Sequence, residues 1–179
     1  MKFPVIGIAG PARSGKDTAA ELIIGMTGGY RYGLADPIKD MIRAGFGIDP
    51  ADPYWIEHKE DPIPAFGGRS PRYLWQTLGT EWGRQLVAPD IWLTIARGRL
   101  LERGAGMVVS DIRFENEAHW VRSLGGKVIH LRRINAASVN AHSSENGVRV
   151  SPLDVVIDNN SSIEDLQVQL QSIVLGRKT

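Results

Sequence analysis

The stretch Gly10-Pro11-Ala12-Arg13-Ser14-Gly15-Lys16-Asp17-Thr18 lies between an apolar run, Phe3 to Ala9, and the helical pattern Ala19-Ala20-Glu21-Leu22-Ile23-Ile24-Gly25-Met26. Strand, G-x-x-x-x-G-K and helix in that order are the context of a phosphate-binding loop. Glycines let the backbone turn with its N–H groups inward around a polyphosphate, and the helix N-terminus adds a favourable dipole. Lys16 then reaches the terminal phosphates as a point charge. Gly10, Arg13, Ser14, Gly15, Lys16, Asp17 and Thr18 are therefore the expected nucleotide-binding set. One position departs from the usual form: Asp17 stands where Ser or Thr ordinarily offers a hydroxyl to Mg²⁺. Its carboxylate can hold the metal directly or through water, act as a base near an acceptor, or cap the helix.

Outward from the loop, apolar runs of strand length alternate with helical patterns, which predicts an α/β domain with a mostly parallel sheet covered on both faces. The expected strands are Phe3 to Ala9, Tyr30 to Leu34, Met107 to Ser110, Lys127 to Leu131 and Val155 to Ile157. Asp36-Pro37 and Ser70-Pro71 read as helix caps followed by proline, and Asp90 as the cap of a helix through Leu101. Ser161 with Glu164 has capping-box spacing before a last helix, Ile163 to Val174. Between Asp49 and Arg69 no period is legible in a Pro- and Gly-rich stretch, which reads as a long surface excursion.

Met107-Val-Val-Ser-Asp111 is an apolar strand ending in an acid, the arrangement that places a second carboxylate toward Mg²⁺ across the phosphates. Asp17 and Asp111 are thus the candidate metal residues, with a cap of the following turn as the plainer role for Asp111. Phosphoryl transfer gains from cations where charge spreads over the equatorial oxygens, which selects Arg113 and, at the end of Lys127 to Arg133, Arg132 over Arg133. The polar segment Asn135 to Val150 reads as a lid that excludes water, within a lid region of about 132–153. His142 lacks a partner at ligand spacing and reads as an ordinary loop histidine. On a helix from Pro71 to Leu86, Arg72, Gln76, Thr80 and Arg84 fall on one side and Leu74, Leu78, Trp82 and Leu86 on the other. The first side suits an acceptor, since Arg matches phosphate and Gln a base edge, while a polar face turned to water is the plainer alternative and Gly79 is a point where the helix could break in two.

Composition excludes some classes. The 179 residues carry a net charge of +1 with 21 scattered basic residues, which argues against a nucleic-acid binder. No cysteine is present, so thiolate metal sites and cysteine nucleophiles are ruled out. The N-terminal apolar run is too short for a signal segment, and no run approaches a membrane span; a cytoplasmic protein of one domain, 1–179, is expected.

Several stretches together resemble the deoxynucleoside monophosphate kinases of bacteriophages and their bacterial relatives: RSGKDT at the loop, LADPIK after the second strand, RYLWQTLGTEWGR, VVSDIRFENEA, VIHLRR, HSSE and IDNNSSIEDL. The resemblance implies a P-loop kinase fold with a five-stranded sheet, ATP with Mg²⁺ as donor, and a deoxynucleoside monophosphate as acceptor. It implies an acceptor region of about 36–92, with Asp36, Lys39, Arg72, Trp75, Gln76, Gly79, Thr80, Glu81 and Arg84 beside the acceptor and Glu145 joining them from HSSE. Arg132 would belong to the lid, and Asn159 and Asn160 to the loop near the adenine. For a phage-encoded chain the compartment would be the host cytoplasm, and homodimerisation stays open. Two other readings stand beside this one: a P-loop kinase for another phosphorylated acceptor, such as phosphomevalonate or dephospho-coenzyme A, and a nucleotide-dependent switch. The switch reading lacks an N-K-x-D guanine-reading motif.

Overall fold

A computed structural model describes residues 3–134 and 148–176. The chain divides into two compact units, residues 1–33 with 96–179, and residues 34–95.

The first unit is built on a five-stranded sheet of β1 (Val5–Ala9), β2 (Tyr30–Tyr32), β3 (Met107–Ile112), β4 (Lys127–Arg132) and β5 (Val155–Asp158). The order is β2-β3-β1-β4-β5 and every pairing is parallel. Parallel strands covered on both faces must be apolar throughout, which is why β1 is buried at all five positions. Alternation divides its side chains between two layers. Ile6 and Ile8 join Val108, Ile129, Leu131 and Ile157 in a core closed by α1 (Lys16–Thr27) and α7 (Ile163–Leu175). Gly7 points the other way, where an added Cβ would meet Val121 of α6 (Glu115–Ser123) at 3.1 Å. The sheet expected from the apolar runs is the sheet present, with ends moved by one to two residues.

Because β1 lies between β3 and β4, the loop leaving its carboxyl end sits where the winding reverses. That is the ligand-binding edge of an open parallel sheet. The turn from β3 into α6 is capped by Glu117, whose buried carboxylate accepts from the N–H groups of Arg113 (2.7 Å) and Phe114 (3.0 Å).

Below β4 and β5, Asp154 accepts from Arg122 Nε (2.9 Å) and Nη2 (2.6 Å) and from the Ser151 N–H (2.8 Å), and lies 2.9 Å from His130 Nε2. Burial pushes its carboxyl up, but the Arg122, Ser151 and His130 hydrogen bonds together with the Arg122 charge outweigh it and hold the group down at about 2. A depressed carboxyl stabilises the fold above its unfolded pKa and ceases to do so as pH falls through the folded one. Asp154→Asn is therefore expected to lose on the order of 2 kcal/mol near neutrality. The deficit against wild type should shrink as pH falls from the ordinary carboxylate range toward 2. Urea unfolding at a series of pH values checks this, and a deficit independent of pH would refute it.

In the second unit, α2 (Asp36–Phe46), α3 (Pro53–Glu57) and α4 (Pro71–Gln76) are followed by a π-helical stretch, Thr77–Val87, and by the start of α5 (Ile91–Arg103). Asp36 is not the cap of α2 but its first residue, preceded by Ala35, because the helix tolerates Pro37 one position further in. Ser70 caps α4 as expected, accepting from the Tyr73 N–H. At α7 the cap is Ser162, accepting from the Asp165 N–H, one residue after the expected Ser161. The excursion has more order than its composition shows: Asp52 caps α3, Pro64–Phe66 forms a 3₁₀ turn, and Ile63 bridges Arg69. Among the described residues no helix is long and apolar enough to cross a membrane.

Candidate active site

The phosphate loop has the backbone its sequence requires. Gly10 and Gly15 take positive φ, and Arg13, at φ 64°, is the single non-glycine residue to do so among those described. A Cβ on Gly10 would come within 2.5 Å of the Leu131 carbonyl, and one on Gly15 within 2.4 Å of Asn159 Nδ2. Both glycines are thus needed for close approach as well as for conformation. Alternation of left- and right-handed residues turns N–H groups to one side and forms an anion-binding concavity. The N-terminus of α1 has no side-chain cap, and the Ser14 hydroxyl oxygen is buried without a hydrogen-bond partner. Both features fit a bound polyphosphate. Lys16 Nζ donates to the carbonyls of Gly10 (2.8 Å) and Pro11 (2.7 Å), which keeps the ammonium over the loop.

Around this loop the first unit assembles most of the residues expected from sequence. Asp111 is half-buried near the carboxyl end of β3, and Arg132 is exposed at that of β4. Asn159 and Asn160 follow β5 and hold neighbouring backbone. Asn159 Nδ2 donates to the Ser14 carbonyl (2.9 Å) and its N–H to the Arg132 carbonyl (2.8 Å), while Asn160 Oδ1 accepts from the Ile134 N–H (2.8 Å). The pair braces the phosphate loop against the end of β4. Arg113 is exposed after β3. Glu145 and His142, with most of the expected lid, lie outside the described residues.

Sequence reasoning missed Arg31. It pairs with Asp17, and its Nε donates to the buried Ser110 hydroxyl (3.0 Å). The available signal was a charged residue in the middle of an otherwise apolar strand.

The carboxylates near the loop are compatible with a magnesium ion brought by a nucleotide. Among the described residues no group of three or more His, Cys, Asp or Glu side chains could hold an ion by protein ligands alone. One or two carboxylates, completed by phosphate oxygens and waters, are what Mg²⁺ takes beside a nucleotide. Asp111 could hold it directly; Asp17 is engaged by Arg31.

In the second unit the expected acceptor helix exists in altered form. On an α-helix every fourth residue advances by about 40°, so Arg72, Gln76, Thr80 and Arg84 would drift round by roughly a third of a turn. The π-helical stretch has i→i+5 bonding and a wider turn, which reverses that drift. All four side chains are half-buried. The expected packing face is corrected: Trp82 and Leu86 are exposed, and the line that packs is Gly79 and Gly83. A Cβ would come within 2.9 Å of Ile38 Cδ1 at Gly79 and within 2.5 Å of the Trp92 ring at Gly83. Trp92 Nε1 donates to the Gly79 carbonyl at 2.7 Å. Gly79 thus admits neighbours and does not end the helix.

Arg72 is paired with Glu60, and its N–H donates to the Lys59 carbonyl (2.9 Å), so the excursion holds this arginine. Trp75 Nε1 is buried without a partner, and Glu81 is half-buried. Asp36 and Lys39 pair with each other at 3.0 Å.

A parallel sheet ordered 2-3-1-4-5 with a phosphate loop after its central strand, and with a carboxylate and an arginine at the flanking strand ends, defines a P-loop kinase. A solved protein from Thermus thermophilus has the same fold, with a TM-score of 0.55 and 18% identity over 100% of both chains. The family model described as deoxynucleotide monophosphate kinase matches residues 4–61 and 68–170. An Acanthamoeba polyphaga mimivirus protein provisionally named a deoxynucleotide monophosphate kinase is 34% identical, with 95% of each chain covered. The deoxynucleotide monophosphate kinase of Enterobacteria phage T4 is 24% identical over 90% of this chain and 95% of its own length. The chain belongs to the deoxynucleotide monophosphate kinase family. The family match breaks only within the excursion, at residues 62–67.

Proposed function

We propose that this protein transfers the terminal phosphoryl group of ATP, with Mg²⁺, to deoxynucleoside monophosphates, giving diphosphates and ADP in the cytoplasm, the host's if the chain is phage-encoded. The observation that carries the reading is the phosphate loop, built after the central strand of a chain that belongs to this family along most of its length. Within it, Gly10, Ser14, Gly15 and Thr18 shape the cradle, Arg13 lies at its rim, and Lys16 neutralises the terminal phosphates. Mg²⁺, when bound, would neutralise charge on the phosphates, and Asp111 is the carboxylate that would hold it. Arg132 and Arg113 meet charge that develops on the transferring group. Arg72 forks onto the acceptor phosphate, Gln76 reads a base edge, and Trp75, Thr80, Glu81 and Arg84 complete the wall, with Asp36 and Lys39 beside it.

The acceptor assignment is tested by coupled ADP release over a panel of the four deoxynucleoside monophosphates, their ribose counterparts, phosphomevalonate and dephospho-coenzyme A. One or more deoxynucleoside monophosphates should stimulate ADP release well above the other acceptors. ADP release indifferent to any acceptor would support a switch and contradict the proposal.

The role of Arg72 has its own expected outcome. Arg72→Lys keeps the charge and loses the planar fork, and should impair acceptor turnover by about tenfold or more. ATP binding measured without acceptor should stay near wild type. Gln76→Ala should instead reorder the preference among bases. If Arg72→Lys keeps full acceptor affinity, the Pro71 helix is not the acceptor wall.

A further inference from the structure

An aspartate directly after the phosphate-loop lysine poses an electrostatic problem. Its carboxylate lies on the first turn of α1, where a polyphosphate bearing several negative charges is expected, and like charges in such a place repel. A hydroxyl at this position would raise no such cost. The fold supplies a cation there from a distant part of the sequence. Arg31 lies opposite Val108 in the β2–β3 register, so Ser110, two residues on, is on the same face of the sheet. That face carries Val108 into the core beneath α1, and there the Arg31 guanidinium meets both the buried Ser110 hydroxyl and the Asp17 carboxylate.

We propose that Arg31 is a positioning residue of the nucleotide site: held by Ser110, it serves as the fixed counter-charge of Asp17 and so allows the phosphate loop to accept ATP despite the adjacent carboxylate. The inference rests on the phosphate-loop reading of the site. As an ion pair in itself the contact stabilises little, since the Arg31 and Asp17 side chains are 45% and 74% exposed. Its value lies in what an uncompensated Asp17 would do to an incoming anion. The planar guanidinium can donate to the hydroxyl with one nitrogen and to the carboxylate with another, which fixes the charge in place.

The test is a double-mutant cycle read by calorimetric binding of MgATP in the absence of acceptor. Arg31→Ala alone should weaken binding by about tenfold or more, because it unmasks a carboxylate beside the phosphates. Made on top of Asp17→Asn, the same Arg31→Ala should change binding by less than about threefold, because no carboxylate is left to unmask. A purely structural role for Arg31 would give equal losses in both backgrounds and would overturn the proposal, as would an Arg31→Ala protein that binds like wild type. If wild type itself does not bind MgATP, the phosphate-loop reading falls and the counter-charge with it. Wild-type binding with an inert Arg31→Ala removes the counter-charge alone.

Discussion

Lys16→Ala is expected to lower kcat/KM by at least about a hundredfold, the scale on which a preorganised charge acts in a water-poor site. The ammonium is already gathered over the loop by the Gly10 and Pro11 carbonyls, so little reorganisation is needed for it to meet a terminal phosphate. Alanine removes the charge and leaves the backbone cradle, whose shape is set by Gly10, Arg13 and Gly15. The fold should therefore survive, with unchanged circular dichroism. Steady-state kinetics at saturating Mg²⁺ decide the matter: retention of more than about a tenth of wild-type activity would remove the loop lysine from the mechanism.

Asp111→Asn should be the second severe variant. The amide keeps the size of the carboxylate and loses the charge that a hard divalent cation requires. Half-activation should then need at least about ten times more Mg²⁺, with turnover still low at saturation. A capping role for Asp111 would instead lower stability and leave the Mg²⁺ titration in place. Thermal unfolding close to wild type alongside a displaced Mg²⁺ titration would support the assignment. A Mg²⁺ titration superimposable on wild type would refute it.

What could be read in the sequence follows from which forces are local. The strands of a doubly covered parallel sheet are continuous apolar runs, so β1, β3 and β4 are visible without partners, and the loop after β1 is visible by its glycines. Caps are local too, yet a serine pair such as Ser161-Ser162 offers two hydroxyls and only backbone geometry chooses the second. The stretch Thr77–Val87 reads as an α-helix, and neither its π form nor the close approach of Ile38 to Gly79 and of Trp92 to Gly83 is encoded in the spacing. The role of Arg31 and the bond from Asn159 to the phosphate loop were hidden for a related reason. Arg31 meets Ser110 and Asn159 meets Ser14 across separations of 79 and 145 residues, contacts that exist only once the sheet order is known. The excursion is the converse case. Its short turns rest on single caps and one bridge, and its connection to the proposed site runs through Glu60 and the Lys59 carbonyl to Arg72.

The most direct measurement of the central claim follows the phosphorus. ATP labelled at its terminal phosphoryl group is incubated with the protein, Mg²⁺ and each deoxynucleoside monophosphate in turn, and the products are separated. The label should appear in the β-position of a deoxynucleoside diphosphate, stoichiometric with ADP, and Lys16→Ala should abolish its appearance. Label found only in inorganic phosphate, at a rate indifferent to the monophosphate supplied, would contradict the account.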